Sequence, residues 1–339
     1  MRASRLFVAP AILAVLCAGA AAQSPAEFYK GKTVDMMIGY SVGGGYDVYA
    51  RLVSRHLGKH IPGNPQVTPK NMEGAGSLRL ANWLYNVAKK DGTVMGTIGR
   101  GTGFDPLFGH KAAQFDGNRF NWIGSANDEV SVCVVWNGRT KVTKFEDLLT
   151  TPITVGGTGA AADTDQFPRI INGVLGTQMK IITGYPGGND VNLALERGEV
   201  DGRCGWSWSS VVSTRASWIK EKKVTVLMQL SLQKHPDLPD VPLITDLAKT
   251  DEQRALLRLI FARQALGRPF VAPPDVPADR VAALRAAFMA TMKDPAFLAE
   301  ANKALLEITP ISGEAVQKLV GEIYQTPPAI VKKAAELLK

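Results

Sequence analysis

The sequence predicts an α/β fold made of two similar units. Three observations carry this. Short apolar runs of strand character alternate with helical patterns from Val34 onward, the layout of a parallel sheet covered by helices. A glycine-rich loop separates strand from helix three times, near residues 43–45, 156–159 and 184–188. The two halves repeat this design and are joined near 124–136 and again near 223–242.

The first unit opens on Val34 to Tyr40, a short buried strand. Gly43, Gly44 and Gly45 follow, and a helix begins with Asp47 in its first turn. Val48, Leu52, Val53, His56 and Leu57 fall on one helical face. Free N–H groups at a helix start, fronted by a loop without Cβ atoms, form a ready anion site. Residues 66–71 are extended, 78–88 helical and 93–98 a third strand. Arg100 lies just past the carboxyl end of that strand, where open α/β sheets place ligands, and is a candidate charge partner for an anion.

Residues 120–124 and 130–136 read as strands. Thr143 with Glu146 reads as a capping box. Ile153 to Val155 is then a strand and 156–165 a small-residue loop. Residues 166–175 are a helix with Pro168 in its first turn. A strand at 179–183 leads to the third loop, 184–190, with Tyr185, and a helix at 191–197. Strand 200–205 carries Arg203 and runs into Trp206 and Trp208. These two rings share one face if that segment is extended, either walling a pocket or filling core. Residues 223–230 are a strand, and the tail beyond 271 is helical.

The chain has 339 residues, 45% hydrophobic and 21% charged, an ordinary soluble composition. Arg2 and Arg5, an apolar run at 6–18 and small residues at 20–22 predict a signal peptide cleaved before Gln23. Its removal takes two arginines and no acid, which lowers the net charge from +8 to +6. No basic stripe is interleaved with aromatics, so no nucleic-acid partner is expected. Export makes a Cys133–Cys204 disulfide possible, and two buried thiols are the alternative.

Catalysis has little support. His56 and His60 stand one helical turn apart, but no acid or cysteine lies near them in sequence to complete a metal site. Residues 157–162 fit G-x-G-x-x-A, yet the following strand ends in Thr183-Gly184 without the acid that holds a ribose. No catalytic residue, metal or cofactor is expected. Two lobes offering helix starts to a common cleft are a clamp for a small anion.

Ordered motifs across the mature chain resemble the periplasmic receptors of tripartite tricarboxylate transporters, the Bug or TctC-like family. They are Gly43-Gly44-Gly45-Tyr46-Asp47 with Ala50-Arg51, then Asn71-Met72-Glu73-Gly74-Ala75-Gly76 and Asp91-Gly92-Thr93. Tyr185-Pro186-Gly187-Gly188, Gly198-Glu199-Val200-Asp201 and Leu238-Pro239-Asp240-Val241-Pro242 follow in the same order. The resemblance implies a two-lobed type II periplasmic binding fold with the ligand cleft between the lobes. It implies a signal peptide at 1–22, a first lobe from 23–128, a second from 129–234, and a return to the first at 235–339 with C-terminal helices.

It also implies a non-enzymatic, monomeric receptor that hands a small carboxylate to membrane permease subunits. The same cleft would serve an exported enzyme or a sensor. Carried over, the ligand loops are Ser41, Val42, Gly44, Gly45, Tyr46 and Asp47 in the first lobe, and Thr158, Gly159, Ala160, Ala161 and Asp163 in the second. Backbone N–H groups of the glycines and Ala161 would hold the anion, while Asp47 and Asp163 cap and order the loops. Arg100, Tyr185, Arg203 and Trp206 complete the expected site. Arg203, Trp206 and Trp208 depart from the family pattern, and two tryptophans beside an arginine suggest an aromatic or longer dicarboxylate.

Overall fold

A computed structural model describes residues 23–338, so the expected signal peptide lies outside the described residues. The first sheet is built from β1 (Thr33–Ile38), β2 (Gln66–Asn71), β3 (Val94–Thr97) and β4 (Asn121–Ser125). The second holds β5 (Ser131–Trp136), β6 (Ile153–Gly156), β7 (Met179–Ile182), β8 (Gly202–Ser207) and β9 (Val224–Leu230). The chain then returns, and β10 (Pro269–Ala272) and β11 (Ile311–Ser312) complete the first sheet. The strand orders are β11-β4-β10-β3-β1-β2 and β7-β6-β8-β5-β9.

Both sheets are mixed. β1 pairs in parallel with β2 and β3, and β6 with β7 and β8. The strands nearest the crossings, β4, β5 and β10, pair antiparallel. A chain that crosses between the sheets arrives from the opposite end, so the entering strands β5 and β10 run against their neighbours.

The helices are α1 (Pro25–Tyr29), α2 (Gly45–Leu57), α3 (Leu78–Asn86), α4 (Asp163–Leu175), α5 (Gly188–Arg197) and α6 (Trp208–Lys220). The tail adds α7 (Asp251–Phe261), α8 (Ala278–Thr291), α9 (Pro295–Lys303), α10 (Gly313–Tyr324) and α11 (Pro328–Leu337). Residues 235–339, expected to return to the first lobe, divide between the two. α8 and α10 pack on β4 and α9 on α2, but α7 and α11 pack on α4 beside the second sheet. The return crossing is therefore 262–268 rather than 223–242.

Local chemistry sets the element ends. α4 starts three residues earlier than predicted, so Pro168 is its sixth residue and lies past the first turn. Asp147, not Glu146, accepts from the N–H groups of Thr143 and Lys144. His56 and His60 bind Glu300 (2.7 Å) and Asp294 (2.8 Å) rather than each other's metal. Cys133 and Cys204 lie on adjacent antiparallel strands and are joined as a disulfide.

Trp206 and Trp208 belong to the core of the second lobe. β8 ends at Ser207 and Trp208 opens α6, so the two rings sit on different elements. Trp206 is 1% exposed and meets Trp218 edge-on at 5.7 Å. Trp208 packs near His235 and donates from Nε1 to Asp237 (3.2 Å).

Candidate functional site: a basic cleft at four helix starts

The lobes are closed on one another. Ser41 Oγ donates to Asp190 Oδ2 (2.6 Å), and Arg100 Nε pairs with Asp163 Oδ2 (3.1 Å). Gln166 Nε2 donates to Asp105 Oδ1 (2.8 Å) on the far side of the same seam. Between these contacts lies a cavity whose volume open to water centres is about 50 Å³.

Four helices begin at this cavity. Gly44, Gly45 and Tyr46 bring the start of α2, and Ala162, Asp163 and Thr164 the start of α4. Gly188 opens α5, Ser207 immediately precedes α6 and Ser210 lies in the first turn of α6. None of the four has a side-chain cap. By contrast α1, α7, α9 and α10 are capped by Ser24, Thr250, Asp294 and Ser312. Each uncapped start presents about half a positive charge and unpaired donors, worth up to ~2 kcal/mol to a partly buried anion.

Three buried arginines add full charges. Arg100 donates from Nη2 to Ser207 Oγ and from Nη1 to Gln264 Oε1. Its backbone N–H donates to the Tyr46 hydroxyl (3.0 Å). Arg268 is 3.3 Å from Glu129 and donates to Ser207, Ser209 and Ser210. Arg203 donates to Gly188 O (2.9 Å) and Asn192 Oδ1 (2.7 Å), and its Cζ stands 4.7 Å from the centre of the Trp206 ring. Burial first, then Arg215 and Arg268, push the Arg203 pKa down to about 9, so it stays charged at neutral pH.

The structure gathers seven of the expected residues around the cavity: Gly44, Gly45, Tyr46, Arg100, Thr158, Asp163 and Arg203. Ser41 sits beside it as a latch to Asp190. Asp47 lies behind the first loop, where it accepts from Gly43 N (3.0 Å), Arg51 Nε (2.9 Å) and Asn71 Nδ2 (2.9 Å). Gly43, with φ of +84°, can make that turn because it lacks a Cβ. Gly159 turns against Ala75 with φ of +129° and donates to Asp165.

The remaining expected residues lie off the cavity. Val42 is exposed, and Ala160 faces an outer groove. Ala161 is packed in the core. Tyr185 donates to Glu199 (3.4 Å), and Trp206 is in the core beneath Arg203. The tryptophan wall proposed from the sequence is thus absent from the cavity lining. Sequence reasoning missed Ser207, Ser210 and Arg268. A strand running into Ser-Trp-Ser-Ser was a fourth helix start of the expected kind, whereas nothing local marks Arg268.

A second polar chain extends outward from Asp163. Arg263 stands 3.6 Å from Asp163 and donates to Gln166, which donates on to Asp105. Asp105 is 1% exposed and its Oδ2 has no hydrogen-bond partner among the described residues. Burial pushes its pKa up to about 8, against the pull of Gln166 and Arg263. Below pH ~4 the carboxyl is protonated both folded and unfolded. As pH rises towards 8 the unfolded chain gives up this proton and the folded chain keeps it, so stability falls, by at most ~1.4 kcal/mol per pH unit. Asp105→Asn is expected to flatten that decline and to unfold at a higher temperature than the parent at pH 8. Equal slopes of Tm against pH from 5 to 8 in both proteins would refute this.

The architecture is the two-lobed fold of periplasmic binding proteins. Within that class the likeness is to Bug and TctC-type solute-binding proteins. BugD, a periplasmic binding protein, superposes with a TM-score of 0.73 at 20% identity, over 90% of this chain and 98% of its own. MatC of Rhodopseudomonas palustris, solved with bound malate, gives 0.70 at 17% identity, over 91% and 99%. In sequence, a protein of Agrobacterium vitis described as "UPF0065 protein in the TAR-I ttuE-ttuC' intergenic region" is 27% identical over 280 residues. That match covers 79% of this chain and 74% of the relative. No family model matches the chain. No helix among the described residues is long and apolar enough to cross a membrane.

Proposed function

We propose that the protein is a receptor that captures a small organic carboxylate in this cleft. The observation that carries it is the convergence of four uncapped helix starts and three buried arginines on one small cavity. Such a site stabilises a compact anion through preformed donors. The likeness to a binding protein solved with malate supports the same ligand class. Backbone N–H groups at Gly45, Tyr46 and Thr164 and the Arg203 guanidinium are the proposed ligand contacts. Asp163 orders Arg100, and Ser41 latches the closed lobes to Asp190.

In the same reading the chain is exported to the periplasm, acts as a monomer, and delivers its ligand to the permease of a tripartite tricarboxylate-type transporter. Binding occurs without turnover, so a carboxylate recovered after incubation with the protein is expected to be unchanged. Ligand shifts the population towards the closed lobes.

Thermal denaturation of residues 23–339 against a panel of carboxylates tests the proposal. A ligand at a hundred times its Kd adds about 2.7 kcal/mol, a rise of at least several degrees in Tm. A rise confined to carboxylates is the expected result. No rise with any acid, in protein refolded to remove carried-over ligand, would overturn it.

A further inference from the structure

We propose that the cleft selects a compact dianion and that Arg203 reads the second negative charge. This rests on the carboxylate-receptor reading and narrows it.

The charge balance is the first argument. Arg100 and Arg263 share Asp163, and Arg268 has Glu129. No carboxylate of the described residues lies within 4 Å of Arg203 or Arg215. Arg203 is 7% exposed, its only acceptors are a carbonyl and an amide, and its Nε has none. Arg215 is held by Thr214 O and Asn189 Oδ1, and its Nε is also unmatched. A buried cation served only by neutral groups is costly until an anion reaches it. Arg203 is such a cation, and it lines a cavity whose helix starts already suffice for one carboxylate.

Size is the second argument. An opening of about 50 Å³ has room for about four waters, or ~120 Å³ of liquid. The α2 and α5 loops close it on one side, since a Cβ on Gly44 would stand 3.7 Å from Gly188 N. Trp206 and Trp208 are packed away and open no extension. Both acid groups must fit in one small space, which favours a diacid with one or two carbons between its carboxyls over the longer or aromatic diacids expected from the sequence.

The test is calorimetric titration of the mature chain with malonate, malate, adipate, acetate and sulfate. Malonate or malate is expected to bind at least 30-fold more tightly than acetate or adipate. Arg203→Gln keeps donors for Gly188 O and Asn192, and is expected to weaken the compact diacids at least 30-fold while changing acetate less than threefold. Arg203→Lys is expected to restore part of the loss. Acetate or adipate binding as tightly as malonate would overturn the proposal, as would an Arg203→Gln loss equal for mono- and diacids. Binding of sulfate without any carboxylate would keep the dianion site and refute the carboxylate reading. No binding of any of the five would refute both.

Discussion

Arg268→Met is expected to lower the Tm by about 6 °C or more. Arg268 and Glu129 are 1% and 4% exposed and stand 3.3 Å apart. They belong to the two crossing segments, which are also tied by Ala126 N donating to Arg268 O and Glu129 N donating to Gln264 O. Removing the guanidinium leaves a buried carboxylate held only by Ser209, Val130 and Asn127. Breaking a buried pair from one side costs about 3–5 kcal/mol, because the remaining charge stays desolvated. At roughly 2 °C per kcal/mol for a large chain, that is the shift stated.

The double variant Glu129→Gln with Arg268→Met separates this cause from lost packing. The Glu129→Gln change leaves an uncharged amide in place of the stranded carboxylate. The double variant should therefore recover more than half of the loss, a coupling energy of opposite sign to the single effects. Thermal unfolding of the four proteins gives the answer. Additive losses, or a single-variant cost under about 1 kcal/mol, would show that the pair does not anchor the crossings.

What was legible in the sequence, and what was not, follows from the range of each interaction. The strand, glycine loop and helix start of α2 are written in contiguous residues, since Gly43 must turn and Asp47 must receive its N–H. The glycine loops ahead of α4 and α5 were legible for the same reason, although both helices begin three residues earlier than their patterns placed them. The basic character of the cleft was only half visible. Arg100 stands just past a strand's carboxyl end, where position alone points at a ligand, whereas Arg203 sits near the amino end of β8. Arg268 stands in a crossing segment, and only tertiary folding brings it to Ser207, Ser210 and Glu129.

Of the two readings open for Trp206 and Trp208, core filling is the one found, because alternation on one face assumes a continuous strand. The helix start at Trp208 breaks the period, and Arg203 takes the cavity face while Trp206 fills the core beneath it. Likewise, α7 and α11 carry ordinary amphipathic patterns, and nothing in such a pattern says which of two sheets its apolar face will meet.

Gly45→Ala is expected to weaken ligand binding about 100-fold with no loss of stability in the unliganded protein. Gly45 is the first residue of α2 and its φ is not positive, so the backbone there accepts alanine. In the closed structure the new Cβ would stand 2.0 Å from Ser210 Oγ, 3.1 Å from Ser210 Cβ and 2.9 Å from Arg268 Nη2. Ser210 could turn away only by giving up the 2.8 Å bond it accepts from Arg268. Overpacking of this kind costs about 1–3 kcal/mol, and here it falls on the closed state alone, because Gly45 and Ser210 belong to opposite lobes. Gly321→Ala in α10 is the matched control: no atom lies within 4 Å of its added Cβ. It should gain up to ~1 kcal/mol of stability from helix propensity and leave affinity untouched. Calorimetric titration with the best ligand of the panel, beside Tm values of the unliganded proteins, separates the two. If Gly45→Ala binds as the parent does, the cleft does not need to close to the separation seen here. If it loses stability and affinity together, Gly45 is a packing residue and the closure argument fails.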